Sequence, residues 1–276
     1  MASSRRCQVR TFGLSGEQDL WADEVSFAWP ETLTLRVHTR SEVEWVRTKL
    51  VGRHWATSVL AGIAGALACG LSLKAAAAAV ANVEPFPARM QPITLPNGAT
   101  MLRDEFNGSY HIWQAAVTVL GDSRAARRVL VMSDVSDWHK KSWTSMKTRD
   151  RSTELGRIAS RVAEVAIFVG EHAHHAVKAA VTAGMHPDSV HGFTNLLTAA
   201  EHLKSELRHG DLVLLRGRTT DHLSRICFAQ FGAIGCWKTH CGKTIVCDHC
   251  DELRPGFDLQ IVKKVAGPER MSASVG

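Results

Sequence analysis

The residues of this 276-residue chain that are best suited to chemistry by type and spacing are four of its seven cysteines. They follow the pattern C-x4-C-x5-C-x2-C and are Cys236, Cys241, Cys247 and Cys250. Four thiolates within fifteen residues can close tetrahedrally on zinc, and either neighbouring histidine, His240 or His249, could replace a cysteine. The pattern predicts a structural zinc site, with an iron–sulfur cluster, a redox dithiol and unliganded thiols as alternatives.

A second group of candidate residues follows two apolar runs. Asp104 and Asn107 come after the run 100–102, and Arg216 and Gly217 end the run 212–217. Ligands of open α/β sheets usually bind beyond the carboxyl ends of the strands, so these residues are candidates for binding. Each has a purely structural alternative, because Asp104 could cap the following helix and Arg216 could be a solvated strand end.

The elements that must position these residues alternate between strand and helix from residue 99 onward. The predicted strands are 99–104, 128–134, 164–170, 189–193 and 211–217, and the predicted helices are 111–120, 154–163, 173–183, 195–208 and one from Asp221. Short apolar strands separated by helices predict a Rossmann-like, mostly parallel sheet with helices on both faces. Before it, short strands within 9–50 and two helices ending near Asn82 predict a smaller α/β sheet, and the proline-rich segment 85–96 predicts a linker.

Charge and targeting signals narrow the function classes. The net charge of +6 and isoelectric point near 9.1 suit an anionic partner, but the basic residues are spread along the chain, so nucleic acid is not the expected one. The first ten residues carry no apolar signal segment, and the uncharged run 59–73 is too short to span a membrane. We therefore expect a cytoplasmic protein.

Several segments resemble the Mur ligase family and occur in that family's order. TMLRDEFN is similar to its D-x-Y-N-x-N-P segment, in the manner of the members that add D-alanyl-D-alanine to the UDP-muramoyl peptide. The others are FGLSGEQDLWADEV, GRHWATSVLAGIAGALACGL, PFPARM, RRVLVMSD and LVLLRGRTTDHL. The resemblance implies residues 1–92 as a partial central-domain sheet and 93–230 as the C-terminal Rossmann-like domain. The cysteine pattern adds a third part, 231–276, as a zinc-binding tail that the family pattern does not include.

The same resemblance implies roles for individual residues. His54, Arg89 and Asp104 would face the adenosine part of ATP, and Asn107 would organise the loop after its strand. Arg216 and Gly217 would receive the amino-acid or peptide substrate. The implied reaction is phosphorylation of a carboxylate by ATP with Mg²⁺, followed by attack of an amine to form an amide.

Departures from the family pattern bear on activity. Trp55 replaces a family asparagine, Arg103 replaces the first of two aspartates, and Arg216 replaces a lysine. No G-x-x-G-K-[ST] loop is present, although ATP-dependent phosphoryl transfer depends on positioning the triphosphate. We therefore expect the chain to need a complementary polypeptide for ATP and Mg²⁺. The alternatives are a non-catalytic, zinc-containing binding or regulatory protein derived from a Mur ligase, or a truncated gene product.

Overall fold

The chain forms two compact units, Met1–Glu84 and Pro85–Gly276. The computed structural model describes residues 9–108, 110–134, 147–238, 241–243 and 245–264. The division falls between Glu84 and Pro85, ahead of the expected boundary after residue 92. Residues 91–94 pair with the sheet of the second unit and so belong to it. Among the described residues, no helix combines the length and the apolar character that crossing a membrane requires.

The first unit contains a four-stranded sheet and two helices, as the sequence predicted. Its strands lie in chain order, the first two parallel and the rest antiparallel: β1 (Phe12–Gly13), β2 (Leu20–Ala28), β3 (Glu31–His38) and β4 (Val43–Arg47). In β3 alternate residues Leu33, Leu35 and Val37 are fully buried, as expected for a sheet with one face on the core. That core also holds the apolar faces of α1 (Ala56–Ala68) and α2 (Leu73–Ala81).

The second unit contains a six-stranded, mostly parallel sheet, which confirms the predicted Rossmann-like architecture. Its spatial order is β5-β6-β10-β7-β8-β9, and only β5 runs antiparallel to its neighbour. The strands are β5 (Gln91–Thr94), β6 (Thr100–Asp104), β7 (Arg127–Met132), β8 (Val165–Val169), β9 (Val190–Phe193) and β10 (Asp211–Arg216). Strand β10 returns to the middle of the sheet and is buried along its whole length, which places its end beside those of β6 and β7.

Helices connect these strands and supply the outer layers of the unit. They are α3 (Tyr110–Gly121), α4 (Thr148–Val162), α5 (Ala173–Thr182), α6 (Leu196–Glu206), α7 (Ser224–Ala229) and α8 (Leu259–Lys264). Asn195 caps α6 by accepting a hydrogen bond from the backbone N–H of Thr198 at 3.0 Å. The start of this helix is thereby fixed directly after β9.

The described residues of the range 231–264, called the tail below, pack into the core of the second unit. Ile234, Cys247, Leu253 and Val262 are buried in the same apolar cluster as the strands β6 to β8 and β10. The tail is thus a part of this unit, where the sequence suggested a separate small module.

A glycine governs how closely α4 and α5 approach. A Cβ atom built on Gly156 would lie 2.1 Å from the carbonyl oxygen of Ala176 and 2.9 Å from the Cβ of Ala179. Because helix backbones can only be this close where one residue lacks a side chain, Gly156 sets the spacing of the two helices.

Gly156→Ala should therefore destabilise the protein by about 1–3 kcal/mol, the usual cost of overpacking. The comparison is Gly65→Ala in α1, where an added Cβ meets no atom within 4 Å. That change should be neutral or stabilising by up to about 1 kcal/mol, since alanine favours helix. Urea unfolding followed by circular dichroism measures both, and equal effects would show that the close approach is unimportant.

Candidate functional site

A cavity of the second unit lies at the carboxyl ends of four parallel strands. This carboxyl-edge cavity has a volume of about 600 Å³, a size typical of small-molecule sites. Its walls come from the residues after β7, β8, β9 and β10, from α4 and α5, and from the tail. The polar lining residues used below are Ser133, Asp134, Glu171, Arg218, Asp221 and Lys238.

Hydrogen bonds and ion pairs around Asp221 stabilise the wall of the cavity that the residues after β10 form. The guanidinium of Arg218 donates to the carboxylate of Asp221 at 2.7 Å and 3.0 Å, and the backbone N–H of Arg218 donates to it at 3.1 Å. The Ser133 hydroxyl donates to the same carboxylate, and Arg218 also approaches Asp134 at 3.8 Å. Burial is the largest single influence on the pKa of Arg218, and it lowers this pKa. The hydrogen bonds and charge of Asp221, together with the charge of Asp134, outweigh burial, so the pKa of Arg218 is raised. The side chain nevertheless keeps 37% of its surface exposed, so it can contact a ligand.

Gly217 has a structural role at the mouth of β10. An added Cβ would lie 2.3 Å from the Ser133 hydroxyl oxygen and 2.6 Å from a methyl group of Leu223. The strand ends of β7 and β10 can meet only because this residue is glycine. The next residue, Arg218, lines the cavity, and the sequence did not single it out as a site residue.

Arg216 is not exposed to a substrate, in contrast to the role implied by the resemblance. It is 1% exposed, and its guanidinium donates to the Asp104 carboxylate at 2.8 Å and to the Asp104 carbonyl oxygen at 2.6 Å. The backbone N–H of Met90 donates to the other carboxylate oxygen at 3.1 Å. Burial raises the pKa of Asp104 to about 7, although Arg216 opposes this shift. Asp104 is 3% exposed and is engaged inside the protein, so its carboxylate is not presented to the ribose of a nucleotide.

Two further residues implied to bind the nucleotide lie at the same corner of the unit. The Arg89 guanidinium stacks over the Phe106 ring at 4.5 Å, and Phe86 meets that ring edge-on at 5.6 Å. Asn107 follows Phe106 and is half-buried. His54 belongs to the first unit, is exposed, and has its ring 5.4 Å from that of Trp55.

The four tail cysteines do not assemble into a metal site. Across the described ranges, the structure holds no group of three or more histidine, cysteine, aspartate or glutamate side chains that could bind a metal ion. Cys236 and Cys247 are buried, whereas Cys241 and Cys250 are partly exposed. Cys250 lies 3.6 Å from the Lys243 ammonium. His240, a suggested substitute ligand, falls outside the described residues, and zinc stays a prediction without support from this geometry.

A buried ion cluster attaches the tail to the sheet. The Arg103 guanidinium donates to both Asp248 carboxylate oxygens at 2.8 Å and to Glu105 at 2.6 Å and 2.8 Å. It also stacks over the Phe228 ring at 4.9 Å. Arg103 and Glu105 are 1% and 2% exposed, so all three charges depend on one another. Arg103, which departs from the family pattern, is thus paired with Asp248 of the tail.

Asp248→Ala should lower the free energy of unfolding by about 3–5 kcal/mol, because it leaves the Arg103 charge buried and undercompensated. Glu252→Ala is the matched control, since Glu252 pairs with Lys238 and Lys243 at the surface. Its loss should cost at most about 1 kcal/mol. Urea unfolding of the two variants checks this, and similar costs would contradict a tail anchored by Asp248.

Asp104→Ala should also cost about 3–5 kcal/mol by stranding the Arg216 charge. Combining it with Arg216→Met removes the stranded charge, so the double variant should lose less than the sum of the two single variants. A double-mutant cycle measured by urea unfolding decides this. Strict additivity would show that the two residues act independently.

Comparisons with known proteins agree with this architecture. Residues 88–219 match the family described as "Mur ligase, glutamate ligase domain". The UDP-N-acetylmuramoyl-tripeptide–D-alanyl-D-alanine ligase of Escherichia coli is 32% identical over 132 residues, which is 45% of this chain and 29% of that enzyme.

Solved structures show the same fold over a longer stretch. MurF from Acinetobacter baumannii aligns with a TM-score of 0.69 and 21% identity, covering 81% of this chain and 47% of that one. MurF from Thermotoga maritima in complex with ADP aligns with a TM-score of 0.59 and 13% identity, covering 79% and 47%. The chain thus spans less than half the length of these proteins. Over residues 88–219 the chain is thus similar to the C-terminal, glutamate ligase domain of the Mur ligases.

Proposed function

We propose that this chain supplies the amine-substrate domain of a Mur-type, amide-forming ligase. The observation that carries the proposal is the carboxyl-edge cavity, which lies in a Mur ligase C-terminal fold where open α/β sheets bind their ligands. The Escherichia coli relative joins D-alanyl-D-alanine to a UDP-muramoyl tripeptide, as its name states. For this chain the corresponding ligand class is a small amino acid or dipeptide whose amine becomes part of the new amide bond.

The charges of the cavity suit a ligand that carries both signs. Arg218 and Lys238 can attract a carboxylate, and Glu171 and Asp134 can attract an ammonium group. Apolar contacts come from Leu155, Phe168, Leu196, Leu223 and Trp237, which also line it. The lining divides about evenly between polar and apolar residues, so it offers a small ligand both charged partners and apolar contacts.

The nucleotide side of the reaction is the less complete part of the proposal. Mur ligases use ATP and Mg²⁺, and one similar structure contains ADP. Of the residues implied to face ATP, Arg89 and Asn107 remain candidates, and His54 remains one from the first unit. The described residues include no P-loop sequence, so a complementary polypeptide would cradle the triphosphate. A cytoplasmic location belongs to the same proposal.

The non-catalytic alternative receives no support. It drew on the departures from the family pattern and on a zinc-containing tail, and among the described residues the cysteines form no group that could bind a metal ion. The tail instead provides Trp237, Lys238 and Cys241 to the wall of the cavity. This placement favours a part in binding the substrate.

Arg218→Gln should weaken binding of D-alanyl-D-alanine at least tenfold, since a charge-assisted hydrogen bond contributes about 1.5–3 kcal/mol. Titration calorimetry or NMR shift mapping on the whole chain measures this. Arg208→Gln, which removes an exposed charge outside the cavity lining, should leave binding unchanged. If the dipeptide and a panel of other amino acids all fail to shift cavity resonances, the cavity is not the amine site.

Catalysis needs a separate assay. Mixing the chain with a P-loop-bearing Mur ligase fragment, ATP, Mg²⁺, a UDP-muramoyl peptide and the amine should release phosphate only when both polypeptides are present. Phosphate release that does not respond to this chain would contradict the ligase proposal.

A further inference from the structure

A second concave surface lies on the outer face of the second unit, between helices α4 and α5. It has a volume of about 570 Å³ and is called the basic groove here. Its lining residues are Arg149, Thr153, Arg157, Ser160, Arg161, His175, Lys178, Ala179, Thr182 and Ala183. None of these is acidic, and four carry a permanent positive charge.

The helical repeat places the cations of the groove in register. Arg149, Thr153, Arg157 and Arg161 recur every four residues along α4 and so form one ridge. His175, Lys178 and Thr182 form the facing ridge on α5. The floor is shallow and made of small residues, because Gly156 brings the two helices together.

Compensation of these charges is slight. Arg157 meets Glu154 at 3.4 Å, with 57% and 33% of the two side chains exposed, and such surface pairs are weak. Partial burial, His174 and the positive charges of Arg149 and Lys178 lower the pKa of His175. Burial is the largest cause of this shift, and the neighbouring cations add to it because like charges disfavour the imidazolium form.

We propose that the basic groove binds a short polyphosphate anion, a ligand with two or more linked phosphoryl groups. Guanidinium and ammonium groups converge on it from two walls, and arginine in particular matches phosphoryl oxygens with paired N–H donors. A walled groove of this volume fits a small ligand. Single-stranded nucleic acid is the less suitable occupant, because its sites offer aromatic stacking surfaces, and the described lining contains no Phe, Tyr or Trp.

The ligand could be an inorganic polyphosphate or the triphosphate part of a nucleotide. Both share the chemistry that the groove recognises, and the groove lies apart from the carboxyl-edge cavity, with which it shares no lining residue. Binding here is independent of the proposed ligase function, so each can fail while the other holds.

Titration of the whole chain with inorganic tripolyphosphate tests the proposal. We expect saturable binding that is at least tenfold tighter than that of inorganic phosphate and at least tenfold weaker in Arg157→Gln/Arg161→Gln. The control, Lys204→Gln/Arg208→Gln, removes the same charge from exposed positions on and after α6 and should bind as the unchanged chain does. Comparing tripolyphosphate with ATP and with adenosine distinguishes an inorganic ligand from a nucleotide.

A second measurement uses the unchanged chain and so does not depend on folding of the variants. Bound tripolyphosphate should protect Lys178 from acylation by an amine-reactive ester, whereas Lys204 should react equally with and without it, as read by mass spectrometry. Absence of saturable binding, equal weakening in both double variants, or an unprotected Lys178 would each overturn the proposal. Binding of a single-stranded RNA oligonucleotide in the groove without binding of tripolyphosphate would overturn it as well.

Discussion

The second unit depends on two charged residues at the end of β6 whose burial must be compensated from opposite sides of the sheet. Adjacent residues of a strand face opposite ways, so Arg103 and Asp104 enter different layers. Arg103 meets Glu105 and Asp248, and Asp104 meets Arg216 and the turn before β5. Unpaired charges buried this deeply are strongly destabilising. The end of β6 therefore fixes the position of three other parts of the unit, which are the tail, the end of β10 and the turn before β5.

This arrangement leaves the carboxyl edge of β7, β8 and β9 open for a ligand. Asp104 and Arg216 neutralise each other in the interior, and Arg218, two residues further along the chain, reaches the cavity. Burial decreases from Arg216, which is paired in the interior, to Arg218, which is partly exposed and lines the cavity. The glycine between them allows the strand end to approach Ser133, which closes the network around Asp221.

The sequence predicted the parallel sheet well, because buried strands such as β8 and β10 are uninterrupted apolar runs with turn signals at both ends. It did not predict β5, whose Pro92 argues against a strand, although an edge position tolerates a proline. It placed Arg216 correctly at the end of its strand but did not predict that the side chain is buried against Asp104. Arg103 and Asp248 are 145 positions apart in the sequence, and no local sequence pattern predicts a contact between residues so far apart. The tail's share in the cavity wall was missed for the same reason.

The burial of Cys227 beside Arg103 has a chemical consequence. Desolvation raises the pKa of this thiol to about 12, so almost none of it is thiolate at neutral pH. Alkylating reagents and mild oxidants act on thiolates, and they should leave Cys227 untouched while the exposed Cys69 reacts. Labelling of Cys227 would then report local opening of the layer between α7 and the tail, which makes this residue a native probe of that opening.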